Sequence, residues 1–203
     1  MSVKRPNPSD QIRLALLAGV SDFMDPNDPL AKVLKTTRLG LHIFTLGLRD
    51  IMNGAGLREA KAAGWRFLAG NLSGEVVAAD IIQPLPGTAQ NGAAKMTSLS
   101  HDPVIADAIR AVNEVETLPE VQNRNYELQV LRIPGLLIEA FWLKSHDAGG
   151  DLIVPVLTRA RELSRMKAYP VADFLNIVRP MTAKFLAFEE YARPTPSGMP
   201  AGE

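Results

Sequence analysis

Residues 126–144, YELQVLRIPGLLIEAFWLK, form the most apolar run of the chain and contain Trp142, one of its two tryptophans. Tyrosine, leucine, valine, isoleucine, phenylalanine and tryptophan at this density favour a pleated and largely buried surface. The run therefore predicts the central strand of a β-sheet, against which the remaining elements pack.

The Pro134 and Gly135 pair in the middle of this run limits how the strand is built. A two-residue hairpin needs a positive φ at its first central residue, and the fixed negative φ of proline forbids that turn. Proline also removes one donor from the sheet ladder. We therefore predict one long strand over 126–144, kinked or bulged at this pair, in preference to the alternative of a tight hairpin.

The segments on either side of the run show helical spacing at both ends of the chain and strand-like patterns near the middle. This order predicts an α+β fold with a small, mostly antiparallel sheet flanked by N-terminal and C-terminal helices. Helices are predicted over 9–24, 29–52, 57–63, 158–167 and 171–191, and after Asp102; further strands are predicted over 65–69, 75–83 and 152–156.

A length of 203 residues fits one domain. We predict a flexible polar arm over 1–8, a globular domain over 9–192 and a disordered tail over 193–203, where proline, glycine and serine dominate. Residues 84–100 lack periodicity and are expected to form either a lid or a disordered loop.

The predicted helix over 29–52 is apolar on two sides. Leu39, Ile43 and Leu46 fall nearly opposite its main apolar stripe on a helical wheel. Such a helix is either sandwiched within its own fold or covered by another chain. These three residues are therefore the candidate interface with a protein partner or a second copy of the chain.

A basic stripe on the same predicted helix contains Lys35, Arg38, His42 and Arg49. It is either a site for an anion or an acidic partner, or a solvated basic face. Nucleic-acid binding is disfavoured because lysine plus arginine and aspartate plus glutamate both number 22, and aromatic residues are not interleaved with the basic ones.

Glu139 lies within the apolar LLIEAFW segment. Burying a carboxylate is costly unless it is paired or protonated, so we expect Arg132 or Arg66 as its partner if it is buried. A buried glutamate with a shifted pKa is also a candidate general acid or base. The sequence favours the simpler interpretation, in which Glu139 faces solvent from one side of the sheet.

The sequence excludes several classes of catalytic site. The absence of cysteine removes thiolate nucleophiles, zinc thiolate sites and disulfides. The three histidines, His42, His101 and His146, are too scattered to predict a metal site, and we expect no cofactor. Ser145, His146 and Asp147 are adjacent, whereas a catalytic triad requires side chains that converge from separate places. No catalytic residue can be named.

These observations favour a non-enzymatic interaction or assembly subunit. The alternative is a small-molecule enzyme or ligand-binding protein with a pocket near Glu139 and Trp142, beneath residues 84–100. No apolar signal core follows the first basic residues, and no apolar run reaches the ~18 residues of a membrane span. We therefore expect a cytoplasmic protein without a membrane span.

Overall fold

A computed structural model describes residues 3–192 except residues 55, 84–92, 123 and 148. In this part of the chain, eight strands form one mixed sheet and five α-helices pack on its two faces, which confirms the α+β class. The helices are α1 (Asp10–Phe23), α2 (Pro29–Thr36), α3 (Leu48–Met52), α4 (Val104–Glu114) and α5 (Val171–Ala192). The strands are β1 (Gly40–Thr45), β2 (Lys61–Gly70), β3 (Val76–Ile82), β4 (Lys95–Ser100), β5 (Tyr126–Ile133), β6 (Ile138–Ser145), β7 (Leu152–Leu157) and β8 (Tyr169–Pro170).

The strand order is β4-β3-β2-β1-β5-β6-β7-β8. The pairs between these strands are antiparallel except for β1 and β5, which run parallel at the centre. A parallel pair needs a long crossover, and here it passes through β2, β3, β4 and α4. The sheet is therefore mostly antiparallel, as predicted, and larger than predicted.

The apolar run is a hairpin of two strands, so the prediction of a single kinked strand is wrong. Tyr126 pairs with Ser145 and Ile133 pairs with Ile138, while Pro134 to Leu136 form a 3-10 turn. The N–H of Leu137, which has a φ of 52°, donates to the carbonyl of Pro134 at 3.0 Å. Proline's fixed φ suits the start of this four-residue loop, and only a two-residue turn would have excluded it.

The predicted helix over 29–52 is also wrong, because α2 ends at Thr36 and residues Gly40–Thr45 form β1. β1 lies between β2 and β5, and side chains on both of its faces are covered. A central strand covered on both faces has a nearly continuous apolar sequence. This segment is apolar on both sides because it is a buried strand. The spacing of its apolar residues matches a helical pattern by chance.

Three further boundaries differ from the predictions. Residues 56–59 form a 3-10 turn and β2 begins at Lys61, in place of the helix over 57–63. Residues 158–167 are turns and irregular backbone in place of a helix. Residues 95–100, predicted to belong to a loop, form the edge strand β4, while residues 84–92 and the predicted tail over 193–203 lie outside the described residues.

Part of the predicted flexible arm is docked on the sheet. Val3 is buried, and Lys4 forms a parallel bridge with Glu127. The N–H of Lys4 donates to the carbonyl of Tyr126 at 2.7 Å, and the N–H of Leu128 donates to the carbonyl of Lys4 at 2.8 Å. This contact has no signal in the sequence, because one buried valine in a polar segment shows no periodicity.

The core divides into three apolar clusters on the two faces of the sheet. On one face, α4 packs mainly on β2 and β3, and its apolar residues belong to one cluster with residues of β1, β5, β6 and β7. On the other face, α1 and α2 cover β2, β3 and β4, whereas α3 and α5 cover β5, β6 and β7. His42 and Phe44 lie on this second face, where the two pairs of helices meet.

Candidate functional site

Strands β2, β3, β5 and β6 each place one charged residue on the sheet face that α4 covers. Arg66 pairs across the ladder with Asp80, and Arg132 pairs with Glu139. β1 separates the two pairs, so β2 and β5 are roughly 10 Å apart. Arginine is long enough to bridge that gap, and the four side chains meet above β1.

These four residues form a closed network, which we call the ion ring. Arg66 donates from Nε and Nη2 to the two oxygens of Asp80 at 2.8 and 2.9 Å, and from Nη1 to Glu139 Oε1 at 2.7 Å. Arg132 donates from Nε to Glu139 Oε2 and from Nη2 to Asp80 Oδ2, both at 2.9 Å. Each carboxylate therefore accepts from both arginines, and the net charge of the ring is zero.

The ion ring is largely shielded from water, since its side chains are 16–26% exposed. Burial alone would raise the pKa of Asp80, but hydrogen bonds and charges from Arg66 and Arg132 outweigh burial and lower it. Burial would likewise lower the pKa of Arg66, and contacts with Asp80 and Glu139 raise it. Both residues are therefore ionised at neutral pH.

The favoured interpretation of Glu139, a carboxylate that faces solvent from one side of the sheet, is wrong. Glu139 is paired within the sheet, and both of the partners expected for a buried carboxylate, Arg132 and Arg66, bind it. Asp80 was missed, although a lone acid in the apolar VVAADII strand carries the same signal of a required partner.

A cavity of about 170 Å³ lies between α4 and the sheet, beside the ion ring. Arg66 and Glu139 form part of its wall, together with Asp107 of α4 and Arg165 of the segment after β7. The rest of the wall is mainly apolar and includes Leu68, Ile105, Ala108, Val156 and Leu157. The cavity is therefore lined mainly by apolar side chains, with charged groups on part of its wall.

Two other hollows are larger and more open, at about 460 and 400 Å³. Polar groups of the first are engaged within the chain: Asp151 accepts from the indole N–H of Trp142 at 2.8 Å, and Arg124 donates to the carbonyl of Gly149 at 3.1 Å. The second lies beside His101 and Glu75, both exposed. Neither contains convergent buried ionisable groups, so the cavity beside the ion ring is the stronger candidate.

Trp142 does not line this cavity, because it lies three residues from Glu139 in the same strand and so faces the other side of the sheet. The prediction of one pocket near both residues is therefore wrong. Trp142 packs edge-on against Phe44 with ring centroids 5.1 Å apart. His42 contacts Phe44 at 4.5 Å and stacks on Trp65 at 4.9 Å.

Burial lowers the pKa of His42, the charge of Glu127 partly opposes this effect, and Lys144 adds to it. The neighbouring Gln129 is buried and donates from Nε2 to Glu127 Oε1 at 2.6 Å. Its Oε1 has no hydrogen-bond partner among the described residues. This side of the sheet, with Trp65, Trp142, Phe44 and His42, is a mainly apolar packed surface, which we call the aromatic face. The lowered pKa of His42 favours the neutral imidazole there.

The structure places the candidate interface residues inside the chain's own fold. Ile43 and Leu46 are 2% and 0% exposed, and Leu39 is partly buried against the cluster beneath α4. Of the two alternatives for this segment, coverage by the same chain is the one observed. The exposed patch that would have needed a partner does not exist at these three residues.

The predicted basic stripe is not brought together as a helical face. Lys35 lies in α2, Arg38 in the following loop, His42 in β1 and Arg49 in α3. His146 and Asp147 lie in the polar turn after β6, where Ser145 Oγ donates to the carbonyl of Asp147 at 2.8 Å. In the described part of the chain, no three acidic or histidine side chains converge in a way that would hold a metal ion.

Comparison of the chain with protein-family models, curated proteins and solved structures gave no match. Among residues 3–192 outside the gaps given above, no helix has the length and apolar character needed to cross a membrane.

The chemistry of the candidate site therefore follows from its own residues. Each oxygen of Glu139 accepts a hydrogen bond from a guanidinium group, and the two bonds fix the position of the carboxylate. This arrangement suits a rigid polar wall.

Proposed function

We propose that this protein binds a small molecule in the cavity between α4 and the sheet. The observation that carries the proposal is a mainly apolar cavity whose wall includes the partly buried, convergent charged groups of Arg66 and Glu139, the usual character of a ligand site. A cavity of roughly 150 Å³ in another protein is known to hold benzene. A body of about one ring therefore fits the cavity of about 170 Å³ here.

Binding without catalysis is the form of this proposal that the geometry favours. Glu139, the acid singled out by the sequence, is held in place by two arginines, which donate one hydrogen bond to each of its oxygens. The hypothesis of an assembly subunit loses one of its supports, the helix that is apolar on two sides, since Ile43 and Leu46 lie in the core.

The test is to fill the cavity and ask whether small molecules still bind. Ala108 lines the cavity from α4, and Ala108→Leu adds three carbon atoms to it. Ligand-observed NMR with a set of monocyclic fragments should detect binders of the wild type that Ala108→Leu no longer binds. Ala18→Leu, at an exposed position of α1, is the matched control and should bind the same fragments.

A folded Ala108→Leu variant that binds every fragment as the wild type does would contradict the proposal. Circular dichroism and the urea midpoint establish whether the variant is folded.

A second candidate function is assembly through the far half of α5. Phe188 and Tyr191 are 68% and 90% exposed, while Phe185 and Leu186 are partly buried. Large apolar side chains grouped at one helix end are typical of a surface that another chain covers. If so, Phe188→Glu combined with Tyr191→Glu should lower the mass in light scattering without altering the circular dichroism spectrum.

Leu72→Glu is the matched control for this second candidate, because Leu72 is a fully exposed leucine in the β2–β3 turn. A wild type that is monomeric at high concentration would contradict self-assembly through α5.

A further inference from the structure

The charges on the cavity wall pair off within the described residues, with Arg165 as the exception. Arg66 and Glu139 belong to the ion ring, and Asp107 Oδ1 lies 3.3 Å from Arg110 Nη1. Arg165 is exposed and forms no ion pair with any residue that the structure describes. Arg165 is therefore the one charge of the cavity wall that no ion pair among the described residues balances.

Arg66 donates three of its five N–H groups within the ion ring, and Asp80 and Glu139 balance its charge there. Drawing it away would leave a partly buried carboxylate without one of its partners, which is costly. An anionic group in the cavity would accordingly meet Arg165.

The segment that carries Arg165 adds to the positive field at this place. Residues 158–168 connect β7 and β8 and contain Arg159, Arg161 and Lys167 in addition to Arg165, against the single acid Glu162. Like Arg165, the other three basic residues are exposed. Clustered charge of one sign raises the local concentration of the opposite ion and speeds its association.

We propose that the ligand of this cavity is a small carboxylate with a compact apolar body about the size of one ring. The carboxylate pairs with the guanidinium of Arg165, and the body packs against Ile105, Ala108 and Val156. A planar guanidinium matches a carboxylate through two parallel hydrogen bonds, and an apolar wall excludes a second charge. This inference rests on the proposed function and specifies its ligand class.

The experiment compares benzoate with benzyl alcohol, which has a similar ring and no charge. Each is titrated into the wild type, Arg165→Gln and Arg161→Gln while amide chemical shifts are followed by NMR. Arg161 is the matched control, since it is an exposed arginine of the same segment outside the cavity wall. We expect Arg165→Gln to weaken the binding of benzoate roughly tenfold or more, whereas Arg161→Gln should leave that affinity nearly unchanged. Neither substitution should change the binding of benzyl alcohol.

The outcomes separate this inference from the proposed function. If the two probes bind equally and Arg165→Gln has no effect, the assignment of the ligand as a carboxylate is overturned, and the proposal that the cavity binds a ligand still holds. Equal weakening by Arg165→Gln and Arg161→Gln shows a diffuse electrostatic effect and overturns the assigned contact. Inorganic phosphate binding as tightly as benzoate overturns the requirement for an apolar body. If neither probe binds, the inference is overturned, and the fragment screen with Ala108→Leu decides the proposed function.

Discussion

The two faces of the sheet are covered in different ways. An eight-stranded sheet is roughly 34 Å wide, whereas a helix covers about 10 Å. Four helices share the face that contains Trp142, and His42 and its aromatic neighbours fill the place where they meet. Among the described residues one helix, α4, packs on the other face, and the ion ring and the cavity lie beside it.

Where the helices leave part of the sheet uncovered, two kinds of side chain fill the space: aromatic rings on one face and ion pairs on the other. Aromatic rings stabilise the fold by burying apolar area, an effect that depends little on direction or pH. The ion ring stabilises the fold through directed hydrogen bonds between charges that have lost part of their hydration. The effect of each of its members therefore depends on the others. Substitutions on the two faces should therefore differ in magnitude, in additivity and in pH dependence.

The largest effect is expected on the aromatic face, from Trp142→Ala. Trp142 is 8% exposed, contacts Phe44 and donates to Asp151, so its removal should lower the free energy of unfolding by about 3–5 kcal/mol. Trp142→Phe keeps an aromatic ring and should cost distinctly less. Urea unfolding measures both variants, and an unchanged midpoint for Trp142→Ala would show that this face contributes little.

A smaller loss is expected on the other face, from Arg132→Met. This change leaves Asp80 and Glu139 to share Arg66, and partial exposure of the ring reduces the cost to about 1–3 kcal/mol. Arg110→Met breaks the exposed pair with Asp107 and should cost at most about 1 kcal/mol.

Combining Arg132→Met with Glu139→Leu should cost less than the sum of the two single changes, because the residues act as a unit. Additive costs would contradict the closed ring.

The ion ring also predicts a stability loss in acid. The pKa of folded Asp80 lies below its ordinary value of 3.8, so its stabilising effect is present above pH 3.8 and is lost as pH falls through the folded pKa. Asp80→Asn should be clearly less stable than the wild type at pH 7, and the difference should shrink below pH 3.8. A difference that is constant with pH would mean that the charge of Asp80 is not what stabilises the ring.

The smallest effect is expected at His42. Its folded pKa is below 6.5, so the unfolded chain binds the proton more readily, and stability falls as pH drops from 6.5 through the folded pKa. His42→Phe should change stability at pH 7 by less than about 1 kcal/mol and should remove this pH dependence. His101→Gln, at an exposed residue, should keep the wild-type profile. A His42→Phe profile identical to the wild type would contradict the burial effect.

The sequence alone predicted the elements whose signals are local. Helical spacing identified α1, α4 and α5, and the patterns around residues 65–69, 75–83 and 152–156 identified β2, β3 and β7. It also predicted that Glu139 would need an arginine partner if it were buried, because the cost of burying an unpaired charge holds in any fold. These inferences depend on neighbouring residues or on burial, and both are visible in the sequence.

Only the tertiary structure decided the features that depend on distant segments. Gly40–Thr45 is a strand because β2 and β5 supply hydrogen bonds along its two edges while other side chains cover its two faces, and the segment alone fits a helix equally well. The ion ring joins Asp80 to Arg132, 52 residues apart, through pairings that no local pattern encodes. The cavity arises where α4 covers part of a wide sheet, since the space between elements is set by their packing and not by their sequences.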